Sequence, residues 1–394
     1  MIFNSENATK IDSYLKDNDE AELGKWPIEL SGEKKIVPFY KFPLKLLHYN
    51  INNGRFASEK RKLEKDIGRE LNSLDKEDAK QIKDLLLRIF PDKTKALKED
   101  LKEKGQMEPG VITFDGFVIN GNRRMAIFEV LHKDKPTGKW EYLEAIRLRP
   151  DINPIDLWKL EAGLQLSKEK KADYSPVNEL LKLKEGYNAG LKPEEIAAAM
   201  YDWTPEEVAN SLERLKLIEN FLVYFRQEEN YGFIQEFGLH EYFINLQKYI
   251  LKGAKKRGAK RQEIQREIEG AFQLIFDSAL VQKDSKKKKR GITHQNIRRL
   301  GKIYGDAYTK ETYFGELPTK KKKKVGDVFE AFKSAEETME MIEKRNEPLK
   351  LVTTAIKALQ NIDTKSKHFL KEEVKKKLYD LNNEIAKLLR KFKN

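Results

Sequence analysis

Three observations predict an α+β fold in which a small strand-containing domain is followed by all-helical domains. The runs that read as strands, Ile112–Asn120 and Glu141–Arg149, all lie before residue 150 of the 394. From Tyr174 onward the apolar residues return at steps of three and four, which is the helical period. The charge is also split: residues 1–250 carry 40 Lys+Arg against 44 Asp+Glu and residues 251–394 carry 37 against 20, so the whole excess of +13 sits in the last third.

A chain of this length is expected to hold two or three domains at roughly 100–200 residues each. Apolar residues at 39% are enough for cores, while 36% charged residues predict a highly charged surface. No apolar run approaches the roughly 18 residues of a membrane span, and no basic-then-apolar leader is visible, so no membrane partner is expected. Cysteine is absent. That excludes disulfides, Cys-ligated zinc and thiol catalysis, and suits a reducing cytoplasm, the expected location. The histidines (48, 132, 240, 294 and 368) form no i,i+4 pair and therefore no histidine metal motif.

In chain order, residues 1–35 are polar, with only Ile11, Tyr14, Leu15 and the Trp26–Leu30 patch as anchors, and read as an N-terminal extension. Residues 36–165 read as the α+β domain, interrupted by a charged helical insertion at 57–90 that ends in Leu85–Phe90 before Pro91. Lys95–Lys104 is a helix with Leu97 and Leu101 on one face, and Gly105 is a suitable C-terminal cap. The stretch ITFDGFVIN follows, two strands joined at Asp115-Gly116, a hairpin turn that needs positive φ.

Gly121-Asn122-Arg123-Arg124 then opens a helix bearing Ala126, Ile127, Val130 and Leu131 on one side. Glycine at a strand-to-helix turn lets backbone approach a ligand, and a helix start presents unpaired N–H groups. Two arginine forks beside them suit a phosphate or carboxylate. Consecutive helical residues point about 100° apart, so one arginine should hold the ligand and the other should tie the loop to an acid or to the Gln106 segment. The alternative is an ordinary strand–turn–helix with solvated or salt-bridged arginines.

The segment Lys98–Ala126, KEDLKEKGQMEPGVITFDGFVINGNRRMA, resembles the core of the ParB/sulfiredoxin-like family. Gly105, Gln106 and Pro109 match that family's GQ-x-x-P element, and Gly121, Arg123, Arg124 and Ala126 match its GERR-type box. Val37–Arg55 is similar to the opening strand and the asparagine/arginine segment, so the likeness spans roughly 36–222. It implies a small mixed sheet domain that binds a nucleoside triphosphate, CTP or ATP with Mg2+, through Gly105, Gln106, Pro109, Gly121, Asn122, Arg123 and Arg124. Two departures stand out. Asn122 replaces the glutamate expected to assist hydrolysis, and Ala162, Gly163 and Leu166 stand where the ENxxR box would place its acid, amide and arginine. Glu161 reaches the metal position only if the register slips by one, and Asp115 and Glu108 are otherwise dispersed. Little or no nucleotide hydrolysis is therefore expected, and sulfiredoxin chemistry is excluded for want of a cysteine.

Asn153-Pro154 opens the helix that carries this third box, and residues 166–250 read as a helical domain. Within it, LKPEEIAAAMYDWTPEEVANSLERLKLIENFL resembles the helix-turn-helix that follows the nucleotide domain in ParB proteins. Ile196, Ala197 and Met200 would pack its first helix and Val208, Leu212 and Leu215 its second, with Thr204 as N-cap and Pro205 in the first position. Asn210, Arg214 and Lys216 are the candidate DNA contacts, although Glu206 and Glu207 bring the wrong sign for phosphates. A purely structural bundle is the alternative. The aromatics between Phe221 and Tyr249 stand at helical spacing and read as core.

Residues 251–394 read as a basic helical domain. Its runs at Lys252–Arg261, Lys283–Arg290 and Lys320–Lys324, with Arg298 and Arg299, suit a polyanion. Lys286, Lys287, Lys288, Lys289 and Arg290 are the densest cluster. At the end, apolar residues at 374, 378, 381, 385, 388 and 392 alternate steps of four and three, a coiled-coil seam suited to a homodimer. Together these features predict a ParB-like, nucleotide-responsive DNA-binding protein for DNA partition or for a mobile-element or phage-defence locus. The alternatives are a nucleotide-dependent enzyme of the same fold (nuclease, NTPase or kinase) and a non-enzymatic adaptor.

Overall fold

The structure, a computed structural model, describes residues 3–30, 33–136, 138–166, 174–200, 202–283, 293–318 and 324–391. Six strands make one mixed sheet: β1 (Glu22–Leu30), β2 (Glu33–Pro43), β3 (His48–Tyr49), β4 (Gly110–Ile112), β5 (Phe117–Asn120) and β6 (Tyr142–Arg147), in the spatial order β1-β2-β6-β4-β5-β3. β4 runs antiparallel to β5 and parallel to β6, and β3 runs parallel to β5.

The period of two along a strand explains why this sheet is buried on both sides. Ile112, Val118 and Ala145 point to one face, their neighbours Val111, Ile119 and Ile146 to the other. The first face packs against α1 (Ser5–Asp17), α3 (Lys76–Arg88), α4 (Pro91–Lys104) and α5 (Asn122–Asp134), with Ile11, Ile82, Leu101, Met125 and Phe128 in its core. The second meets Leu160 of α6 (Pro154–Leu166) and Ile28 of β1. The β4–β5 turn is one residue longer than a two-residue hairpin. Gly116 N–H bonds Thr113 O at 3.1 Å, and Gly116 alone takes positive φ, at 93°.

Residues 1–35 form part of this domain rather than an extension. β1 is the sheet's edge strand, and the Asn7 amide in α1 donates to Leu46 O at 2.9 Å and Asp115 O at 2.7 Å. The insertion has two faces of its own. α3 buries Ile82 and Leu86 in the sheet core, and its Asp78, 0% exposed, accepts from both Arg69 nitrogens at 2.6 and 2.8 Å. α2 (Ala57–Ile67) turns to the helices beyond: Ser58 N–H donates to Asn178 Oδ1 at 3.0 Å and Lys65 to Glu228 O at 3.2 Å.

The helical region comprises α7 (Pro176–Asn188), α8 (Pro193–Ala199), α9 (Pro205–Tyr224), α10 (Tyr231–Glu236), α11 (His240–Asn245), a π-helical turn at Leu246–Leu251, α12 (Lys252–Lys256), α13 (Arg261–Lys283) and α14 (Gln295–Ile303). Thr204 caps α9, with Pro205 in the first position and a reciprocal bond from Glu207. The aromatics are core: Phe221 is fully buried and meets Phe243 and Phe272 edge-on, and Phe225 stacks on Phe276 at 4.0 Å.

The contacts divide at Gly301 instead of residue 250. The reason is α13, whose Phe272 and Ile275 need the aromatic face of α9 to be buried. The second unit holds α15 (Ala307–Glu316), α16 (Asp327–Gln360) and α17 (Glu372–Arg390). Tyr313, Val328, Phe329 and Phe332 are buried in it, whereas α17 has no buried residue. No described helix is long and apolar enough to cross a membrane.

Candidate phosphate site at the start of α5

Gly121 leaves β5 with φ 116° and ψ 4°, a conformation that favours glycine, and starts α5 directly. Asn122 behind it is 2% exposed and fully employed. Its Oδ1 accepts from Asn50 N–H at 3.0 Å and its Nδ2 donates to Val118 O. The side chain therefore clasps the helix start to the loop after β3, where a carboxylate could accept the first bond but could not donate the second.

Gln106 plays a comparable part. Its Nε2 donates to Glu144 O at 2.5 Å and to Glu108 O at 2.9 Å, while its Oε1 accepts from Glu144 N–H at 3.2 Å. The amide thus copies a strand residue alongside β6. Gly105 ends α4 with φ 76° and donates its N–H to Leu101 O, and Pro109 is buried at the entry to β4. All seven residues expected at the site come together around this loop, but Gln106, Pro109 and Asn122 shape it rather than present donors.

The two arginines divide as the helical geometry requires. Arg124 donates to the Glu108 carbonyl and so ties α5 to the Gln106 segment. Arg123 is 6% exposed, with its guanidinium over the Phe90 ring at 5.8 Å. Burial lowers the Arg124 pKa. The Glu108 and Glu144 carboxylates work against that shift, and the charge of Arg55 adds to it.

Arg55 and Asn50 were not singled out as donors in the sequence, although both lie in the asparagine/arginine segment. Arg55 sits on the 3-10 turn Gly54–Phe56, held by its N–H on Asn53 Oδ1 at 3.0 Å and its carbonyl on Asn178 Nδ2 at 2.9 Å. Its Nε is buried and bonds nothing in the protein. Asn50 is 0% exposed, and its Nδ2 likewise has no partner, while its Oδ1 accepts from Asn52 N–H. A buried donor left unpaired costs about 1–3 kcal/mol. Two such donors beside Arg124 and an open helix start make a cradle with the sign and geometry for an anion.

Behind Arg55 lies a buried ionic cluster. Lys182, 1% exposed, donates to Glu161 at 2.7 Å and Glu185 at 3.0 Å. Burial pushes the Lys182 pKa down, but the two carboxylates outweigh it and hold the group above its ordinary value. The Tyr174 hydroxyl, pushed well up by burial and by Glu161, leaves no room at Gly54, where a Cβ would lie 2.6 Å from its oxygen. Glu161, the candidate metal ligand, is thus engaged by lysine. Among the described residues no group of three or more His, Asp or Glu is placed to hold a metal ion.

The expected DNA contacts are dispersed. Asn210 Oδ1 accepts from Lys252 and its carbonyl from Gln247, each at 2.8 Å. Arg214 is half-buried, and Lys216 is exposed along with Glu206 and Glu207 at the start of α9. Arg298 and Lys248 lie over the two sides of the Tyr249 environment, 5.5 and 5.3 Å from its ring centre, and Arg299 is exposed on α14. Lys286, Lys287, Lys288, Lys289 and Arg290, and most of the run at 320–324, lie outside the described residues. Set beside known proteins, the chain matches no protein-family model and no curated protein.

Proposed function

We propose that this is a nucleotide-responsive DNA-binding protein of the ParB-like kind, with its phosphate site at the start of α5. The observation that carries the reading is the pair of buried, unpartnered donors on Asn50 and Arg55 beside Arg124. The donor set is amide and guanidinium with no carboxylate interposed, which suits the oxygens of a CTP or ATP phosphate. Magnesium fits less well. Glu161 is held by Lys182, and the described residues offer no acid cluster, so no step is assigned to a metal. With Asn122 locked at both ends of its amide, no side chain of the loop is poised as a base, and hydrolysis is expected to be slow or absent.

DNA is the second ligand of this reading. Tyr249 flanked by Lys248 and Arg298 is an aromatic surface with cations at its edge, a combination that accepts stacked bases and phosphates. Calorimetric titration with CTP, ATP and GTP, with and without duplex DNA and magnesium, tests both halves. At least one triphosphate should bind the full chain, and DNA binding should weaken steeply with salt as counterions are released. If no triphosphate binds, or DNA affinity is insensitive to salt, the reading fails.

A further inference from the structure

A cleft of about 320 Å3 opens between the first turn of α7 and the α8–α9 corner, well defined yet used by neither ligand above. Glu179, Asp202, Trp203, Glu207, Ser211 and Arg214 line it. Arg214 is its one cation. The guanidinium is half-buried, and its Nε is shielded from solvent and bonds nothing in the protein. Behind it His240 is held neutral by burial and by the Arg214 charge, with a pKa of about 4, so the imidazole adds no second positive charge near neutral pH. Asn210, also on the wall, is occupied by Lys252. Glu207 spends one carboxylate oxygen on the Thr204 N–H and hydroxyl, each at 2.8 Å, and keeps the other.

The charge balance narrows the ligand. Three carboxylates face one guanidinium, so a bare phosphate is repelled, and a simple cation would leave the Arg214 fork unpaired. What complements the lining is an uncharged flat group with acceptors for the guanidinium, donors for a carboxylate and a face for the indole. Guanine has that pattern: O6 and N7 accept from an arginine fork, while N1–H and the 2-amino group donate. Adenine has no acceptor pair for the fork and presents its amino group there instead. We propose that the cleft binds a guanine base against Trp203, with Arg214 on O6 and N7 and a lining carboxylate on the N1–H and 2-amino edge. The base could belong to a free nucleotide or to an unpaired nucleotide in a strand. Because the lining is acidic, the base and not the phosphate supplies the affinity.

The test is calorimetric titration of the full chain with guanosine, adenosine and guanosine monophosphate. Oligothymidylate with and without a single guanine is titrated alongside. Guanosine should bind roughly 10- to 100-fold more tightly than adenosine, the scale of one bidentate base contact. Guanosine monophosphate should gain nothing over guanosine. Arg214→Gln and Arg214→Lys should both abolish the preference with unchanged melting curves, since neither charge nor packing alone makes the fork. Arg124→Ala should keep it, which separates this site from the one at α5. A guanine-dependent gain in the oligonucleotide assigns the base to a strand, and its absence assigns it to free nucleotide. Equal binding of the two nucleosides, binding of neither, or a preference lost with Arg124→Ala would overturn the proposal.

Discussion

Replacing Arg55 with glutamine separates binding from folding more cleanly than any change in the Arg123-Arg124 pair. Its guanidinium makes no hydrogen bond or ion pair, while its charge depresses the neighbouring Arg124. Removing it therefore breaks no contact and relieves a like-charge repulsion, and stability should stay within about 0.5 kcal/mol of the parent. A bound phosphate would instead lose one charged hydrogen-bonding group, about 1.5–3 kcal/mol, or roughly 10- to 150-fold in affinity. Arg123→Ala makes the contrast. That side chain is buried over Phe90, so its loss should lower the melting temperature at a cost of about 1–3 kcal/mol. The assay is calorimetric nucleotide titration of both variants beside their thermal melts. If Arg55→Gln binds every triphosphate as the parent does, the cradle does not hold phosphate, whatever its shape.

Other substitutions probe the framework. Lys182→Met should cost about 3–5 kcal/mol because it leaves Glu161 buried and unpaired, and Lys182→Met combined with Glu161→Leu should recover much of that in denaturant melts. Gly121→Ala forces a side chain into φ 116° and should destabilise by about 1–3 kcal/mol by the same measurement. His240 faces Arg214 and Glu241 and takes up its proton near pH 4 when folded, against 6.5 when unfolded. Between those values the unfolded chain binds more protons, so stability should rise with pH from about 4 to 6.5 and be complete above. The His240→Phe variant should show a flatter pH–stability curve across that window, and an unchanged slope would count against the shift.

Local rules already settle much of this protein at the level of sequence. The β4–β5 hairpin, the start of α5 at Gly121, the cap of α4 at Gly105 and the capping box at Thr204 depend on residues a few positions apart. Residues between Phe221 and Tyr249 declared themselves as core through helical spacing alone. Partners far apart in the chain left no such mark. Nothing local shows that polar residues 22–30 would become a sheet edge, that Asp115 would hold Asn4, or that α13 would close over Phe221 and carry the first unit to Gly301. The same holds for chemistry. A sequence presents Glu161 as a free acid and Arg123-Arg124 as free bases. Packing assigns the first to Lys182, lays Arg123 over Phe90, turns Arg124 to the loop, and leaves Arg55 and Asn50 as the donors without partners. Whether a polar group is spent or available depends on which distant groups burial brings within about 3 Å of it, and only the tertiary structure decides that.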